Sequence, residues 1–175
     1  MKEYWQGQIK TMIQVKQDLE KYDQEGLYEQ YRPENGATEE EIRIVERSLG
    51  FTLDEQYRDF LKHANGWKNF NHTISLFGTT QLFDLGLMGY VNKLLNECWE
   101  EIEETIGFTK DELLPIAATS ENTDVFLISK PSTRQSGVVI WIAGYEIERY
   151  KDFKDFFSAM IVYNREDVEY FKSLE

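Results

Sequence analysis

Residues 33–66 carry helix start and stop signals at short intervals, and these signals constrain the fold more than any other part of the chain. Thr38 lies three residues before Glu41, which is the spacing of a capping box at a helix N-terminus. Gly50 supplies the residue type that best tolerates the left-handed conformation at a helix end. Asp54 is a good N-cap for a second helix. The segment therefore predicts two short helices joined by a tight turn.

Apolar residues at helical spacing predict which face of each helix is buried. The first stripe consists of Ile42, Val45 and Leu49. The second stripe consists of Tyr57, Phe60, Leu61 and Ala64. Caps and stripes of this kind also occur in helix–turn–helix segments of unrelated globular cores, so they indicate a folded domain before they indicate any particular family.

The same stretch resembles the N-terminal signature of the SUKH superfamily, the Smi/Knr-type immunity proteins. The matching positions are Pro33, Gly36, Ala37, Thr38, Glu41, Ile42, Glu46, Leu49, Gly50, Leu53, Tyr57, Phe60, Leu61, Asn65 and Gly66. One position departs from the pattern, because Asp54 stands where the family usually has proline. Aspartate is a good N-cap, so the start of the second helix is kept.

Later segments extend the resemblance to about Ile161. They are Leu114-Pro-Ile-Ala, the apolar run Val125–Ile128, a strand that contains Trp141 and a helix that begins at Asp152. The resemblance implies a SUKH (Smi/Knr-like) fold of the α+β class, with a mainly antiparallel β-sheet packed with helices. We expect an N-terminal helical extension at residues 1–32 and a Smi/Knr-like domain at residues 33–175, in one globular unit.

The residue pattern predicts a definite order of elements. We expect helices at residues 2–22 and 86–106, and strands at 74–77, 113–117, 125–128, 138–142 and 145–150. We expect a polar loop at 67–73, a turn with a short strand at 78–83, and two helices after Asp152, the second beginning at Asn164 or Asp167. This order of helices, strand meander and helices is typical of an α+β fold with one face of the sheet covered.

The net charge of −13 argues against nucleic acid or an anionic membrane as the direct ligand, because both need a basic surface. It favours a basic partner, although many acidic proteins are acidic only for solubility. No apolar run approaches the ~20 residues of a membrane span, and no secretory signal is visible. One cysteine among 175 residues fits a reducing compartment. We therefore expect a cytoplasmic location.

The acidic residues concentrate between Leu95 and Val125, where nine acids accompany one base, Lys110. This segment is expected to be either a solvated surface or the face that binds a basic partner, with a metal site the least favoured alternative. Trp67 follows a helix end and is expected to be either a core residue or an exposed aromatic anchor. The candidate partner-binding residues are Trp67, Glu97, Glu100, Glu101, Glu104, Glu121 and Asp124.

The sequence predicts no catalytic residues, no metal site and no cofactor. The two histidines, His63 and His72, have no second histidine or cysteine at metal-ligand spacing and no recognisable nucleophile motif. Cys98 lies among acidic and apolar residues, which raise the pKa of a thiol.

The resemblance implies a non-enzymatic immunity protein that binds and neutralises a cognate polymorphic or contact-dependent toxin, and the acidity favours a nuclease toxin. The alternative is a regulatory interaction scaffold of the Smi/Knr type without a toxin partner. A third hypothesis, a hydrolase with an unrecognised carboxylate pair, needs a pocket that joins a histidine to two buried acids.

Overall fold

The computed structural model describes residues 2–174 and has an α+β fold. Within them, six strands form one sheet in the order β1 to β6, and every neighbouring pair is antiparallel. The elements are α1 (Lys2–Tyr22), α2 (Glu39–Leu49), α3 (Glu55–Leu61), β1 (Trp67–Asn71), β2 (Ile74–Leu76), α4 (Thr79–Phe83), α5 (Leu87–Ile106), β3 (Leu113–Ala118), β4 (Val125–Ser129), β5 (Val139–Ile142), β6 (Glu146–Tyr150) and α6 (Phe153–Ser173). The expected α+β class with an antiparallel sheet is confirmed.

The capping signals of the α2–α3 corner act as the sequence predicts. The Glu41 backbone N–H donates to Thr38 Oγ1 at 3.2 Å, and the Thr38 backbone N–H donates to Glu41 Oε2 at 2.7 Å. Gly50 ends α2 with a left-handed φ of 79°. Asp54 Oδ1 accepts from the backbone N–H of Tyr57 at 3.1 Å and so caps α3. These bonds satisfy backbone groups that a helix end leaves unpaired.

Helices cover both faces of the sheet, whereas the sequence predicted that one face was covered. Neighbouring residues of β6 contact different helices. The Tyr150 ring packs on Phe156 of α6 at 5.7 Å, while the Arg149 guanidinium donates to the backbone oxygen of Ile106 at the end of α5 at 2.8 Å. Every residue of β3 and β4 is buried, as expected for strands with both faces covered.

The N-terminal helix α1 belongs to the main hydrophobic core. Trp5 is fully buried, and its ring lies 5.4 Å from Phe60, 5.6 Å from Phe153 and 5.4 Å from Phe157. α1 packs along α6 through its apolar face. Helix α1, part of the extension predicted at residues 1–32, therefore contributes core side chains to the same packed unit.

Three local predictions were wrong. Residues 67–71 form strand β1 rather than a loop, and residues 79–83 form helix α4 rather than a turn and strand. The third is the separate last helix, because α6 runs without a break from Phe153 to Ser173. Asn164 does not start a helix: its side-chain amide is buried and donates to the backbone oxygens of Met160 at 2.8 Å and Phe70 at 3.3 Å.

Candidate functional site

Helix α5 has one buried face and one strongly acidic exposed face. Its buried side chains are Met88, Val91, Leu95, Trp99, Ile102 and Ile106. Its exposed carboxylates are Glu97, Glu100, Glu101, Glu103 and Glu104, which we call the glutamate ridge. The only base in the helix sequence is Lys93. Four of the five glutamates predicted to bind a partner, Glu97, Glu100, Glu101 and Glu104, are thus exposed on this one helix.

The glutamate ridge is electrostatically unfavourable for the free protein. Glu97 and Glu101, and likewise Glu100 and Glu104, are spaced i, i+4, where like charges destabilise a helix by about 0.2–0.5 kcal/mol per pair. The ridge lies toward the negative C-terminal end of the helix dipole, where cations are preferred. The last turn of α5 contains no basic residue, and no salt bridge in the described part of the chain includes these glutamates. A basic partner would relieve this repulsion.

The acids of the β3–β4 loop occupy a different position from the ridge. Glu121 is exposed. Asp124 is half-buried, and its Oδ1 accepts a hydrogen bond of 2.7 Å from the indole Nε1 of Trp141. Trp141 lies on the α6 side of the sheet, with its ring 6.3 Å from that of Tyr163. Asp124 therefore binds a strand residue on the face opposite α5, and it does not join the ridge.

The loop between β3 and β4 contacts the first part of α5, since the Tyr90 hydroxyl donates to the backbone oxygen of Asn122 at 3.0 Å. Tyr90 precedes Glu97 by seven residues, which is about 10 Å along a helix axis at 1.5 Å per residue. Glu121 thus lies near the start of α5, and the ridge begins about two turns further on.

Trp67 does not provide an exposed anchor. Its side chain is 1% exposed, and its indole Nε1 donates to the backbone oxygen of Tyr31 at 2.8 Å. The ring packs on Phe70 at 5.6 Å. Of the two alternatives expected for Trp67, the structure has the core residue and not the exposed anchor, because pairing of β1 with β2 places the tryptophan in the core.

An apolar groove beside α5 was not predicted from the sequence. It has a volume of about 340 Å³, and its lining includes Phe51, Phe83, Leu85, Met88, Trp99 and Pro115. Leu85 is 89% exposed and Phe83 is 45% exposed. The signal in the sequence was the pair Leu82-Phe83, which we interpreted as part of a short strand rather than as a surface.

Lys16 is a buried lysine that sequence analysis did not single out. Its side chain is on the core side of α1 and is 4% exposed, and its Nζ donates to the backbone oxygen of Asn69 at 2.8 Å. Burial lowers the pKa of this ammonium from 10.5 to about 7, although the negative charge of Asp167 partly opposes the shift. The contact fastens α1 to the β1–β2 hairpin.

The histidines and the cysteine contact neighbouring residues of the fold. His63 Nδ1 lies 2.9 Å from the backbone oxygen of Asp59. His72 Nε2 lies 2.8 Å from Asp167 Oδ2, and its ring stacks on Tyr28 at 4.3 Å. Burial raises the pKa of the Cys98 thiol, and the nearby Glu101 and Glu97 add to this, as expected.

Residues 2–174 contain no cluster of three or more histidine, cysteine, aspartate or glutamate side chains suited to holding a metal ion. Over the same range, no helix combines the length and the apolar character needed to span a bilayer.

Comparison with known proteins identifies the family. The model of the SMI1/KNR4 family (SUKH-1) matches residues 36–159, which contain the α2–α3 corner, the whole sheet and α5. This range agrees with the resemblance inferred for residues 33–161. A search of curated proteins found no match. Since the family model covers well over half of the chain, this protein belongs to the SMI1/KNR4 family (SUKH-1).

Proposed function

We propose that this chain is an immunity protein that binds and neutralises a cognate polymorphic or contact-dependent toxin, and that the toxin is a nuclease. Membership of a family that includes immunity proteins supports the class of function. The protein acts by binding rather than by catalysis, and it acts in the cytoplasm, where such a toxin reaches its substrate.

The observation that carries this proposal is the glutamate ridge of α5. Five exposed carboxylates share one helix face without a salt bridge in the described part of the chain, at the end of the helix where negative charge is least favourable. Nucleases need a basic surface to bind phosphates. A ridge of this kind complements such a surface, and complementary charge speeds association and excludes wrong partners.

We expect the gene of an immunity protein to lie beside the gene of its toxin. Neutralisation is therefore tested by expressing the toxin domain of the adjacent gene in a bacterial host, with and without this protein. We expect the wild-type chain to restore growth and to co-purify with the toxin. The triple variant with Glu97, Glu101 and Glu104 changed to Lys should fail to protect. A matched control changes Glu20, Glu25 and Glu166 to Lys, which alters the net charge equally at exposed sites away from α5. Absence of protection by the wild-type chain would reject the proposal.

A further inference from the structure

The groove beside α5 exposes large apolar side chains to solvent. Leu85 is 89% exposed, the highest value for a large apolar side chain among the described residues. Phe83, 45% exposed, lines the same groove. Contiguous exposed apolar surface of this kind usually marks a binding site. The volume of about 340 Å³ is within the range of pockets that receive ligands.

The groove and the glutamate ridge share α5. Trp99 lines the groove, and Glu103 follows it by four residues, so that the two side chains are neighbours where the buried face of α5 meets the ridge. The side chain of Trp99 is 7% exposed, and its indole Nε1 has no hydrogen-bond partner in residues 2–174.

We propose that the groove receives an aromatic or long aliphatic side chain of the toxin, and this inference rests on the proposed function. The side chain comes from a segment whose neighbouring lysines or arginines bind the glutamate ridge. Such an interface has an apolar anchor in a pocket and charged residues at its rim, which is how binding energy is usually distributed.

The negative charge of the glutamate ridge distinguishes between the possible occupants of the groove. A second copy of this chain would bring its own ridge toward the first, and the two acidic faces would repel. The groove lining also contains two lysines, Lys110 and Lys130. Two aspartates of the same lining, Asp84 and Asp111, match their charge, so the ridge leaves this region negative. The complementary occupant is therefore apolar at its tip and basic at its flanks.

The test compares two exposed leucines. Leu85→Glu places a charge at the mouth of the groove, while Leu174→Glu places the same charge on a leucine at the end of α6 that is 65% exposed. Each variant is mixed with a catalytically inactive form of the toxin domain of the adjacent gene, and the dissociation constant is measured by calorimetry. We expect Leu85→Glu to weaken binding at least about tenfold and Leu174→Glu to change it less than about twofold. The added charge alone would favour a basic partner, so a loss at Leu85 reports the groove.

The indole N–H of Trp99 gives a second readout that needs no variant of the groove. In a two-dimensional ¹⁵N–¹H spectrum, its signal should shift or broaden when the inactive toxin domain is added. If the wild-type chain binds the toxin but both leucine variants bind equally well and the Trp99 signal is unchanged, the groove is not the anchor and the proposed function stands. If the wild-type chain neither binds nor protects, the proposed function itself fails.

Discussion

Lys16 donates a hydrogen bond of 2.8 Å from its buried Nζ to the backbone oxygen of Asn69, and this contact joins α1 to the β1–β2 hairpin. Asn69 has a left-handed backbone with φ of 50°, which directs its carbonyl away from regular strand pairing. The bond holds a segment outside the family match, α1, against a strand inside it.

The Lys16 contact predicts a specific pH dependence of stability. The folded pKa of about 7 is below the unfolded value, 10.5, so between these values the unfolded chain binds more protons and the free energy of unfolding rises with pH. Lys16→Met removes this contribution. Relative to Lys16→Met, the free energy of unfolding of the wild-type chain should therefore rise between pH 7 and pH 10, by about 1.4 kcal/mol for each pH unit. Urea unfolding of both proteins across this range measures the difference, and a pH-independent difference would contradict it.

Removal of the α1 tryptophan should damage the whole fold. Trp5→Ala takes a fully buried ring away from Phe60, Phe153 and Phe157 and should cost about 3–5 kcal/mol of unfolding free energy. The control, Tyr145→Ala, changes an aromatic residue that is 67% exposed and should cost less than about 0.5 kcal/mol. If Trp5→Ala melted like Tyr145→Ala, α1 would be an accessory helix.

Reversal of the ridge charges should leave the fold intact. Glu100→Lys and Glu104→Lys change exposed side chains without salt bridges in the described residues, so the free energy of unfolding should stay within about 0.5 kcal/mol of wild type. A small gain is expected, because each change relieves repulsion near the C-terminus of α5. Thermal unfolding monitored by circular dichroism measures this. A large fall in melting temperature would mean that these glutamates make stabilising contacts.

Asp124 should act through stability rather than through binding. Asp124→Ala leaves the indole N–H of Trp141 without its acceptor and should cost about 1–3 kcal/mol of unfolding free energy. Asp124→Asn keeps an oxygen acceptor and should cost less. The comparison with Glu121→Ala, at an exposed residue of the same loop, separates the effect of the hydrogen bond from that of the charge. Equal stability of the two alanine variants would show that the bond to Trp141 is unimportant.

The sequence predicted the helices and strands that local signals specify. Each of these signals acts on residues close to it in the sequence. They are the capping box of Thr38 and Glu41, the glycine Gly50 that ends α2, and the β-branched runs of β4 and β5. The misassigned segments depend on distant partners. Strand β1, with the polar sequence Trp-Lys-Asn-Phe-Asn, forms because it pairs with β2, and tertiary contacts of this kind override local propensity.

The same physical limit applies to the candidate site. Helical periodicity located the exposed face of α5, since charge and burial alternate along one helix. It did not show that Asp124 faces α6, that Trp67 is buried, or that Phe83 and Leu85 line a groove with Trp99. Each of these depends on how the sheet and helices pack together, which no local pattern contains.

We expect the glutamate ridge to steer a basic toxin to this protein. Stopped-flow binding of the inactive toxin domain across ionic strength tests it most directly, because exposed charges act over a Debye length of about 10 Å at 0.1 M salt. For the wild-type chain, association should be fast at low salt and slow steeply as salt rises.

Changing Glu97, Glu101 and Glu104 together to Lys should reduce the association rate at least about tenfold and leave it nearly independent of salt. The control with Glu20, Glu25 and Glu166 changed to Lys has the same net charge and should keep most of the rate and of its salt dependence. An association rate that responds neither to salt nor to reversal of the ridge would contradict this steering role and leave the ridge as a solvated surface only.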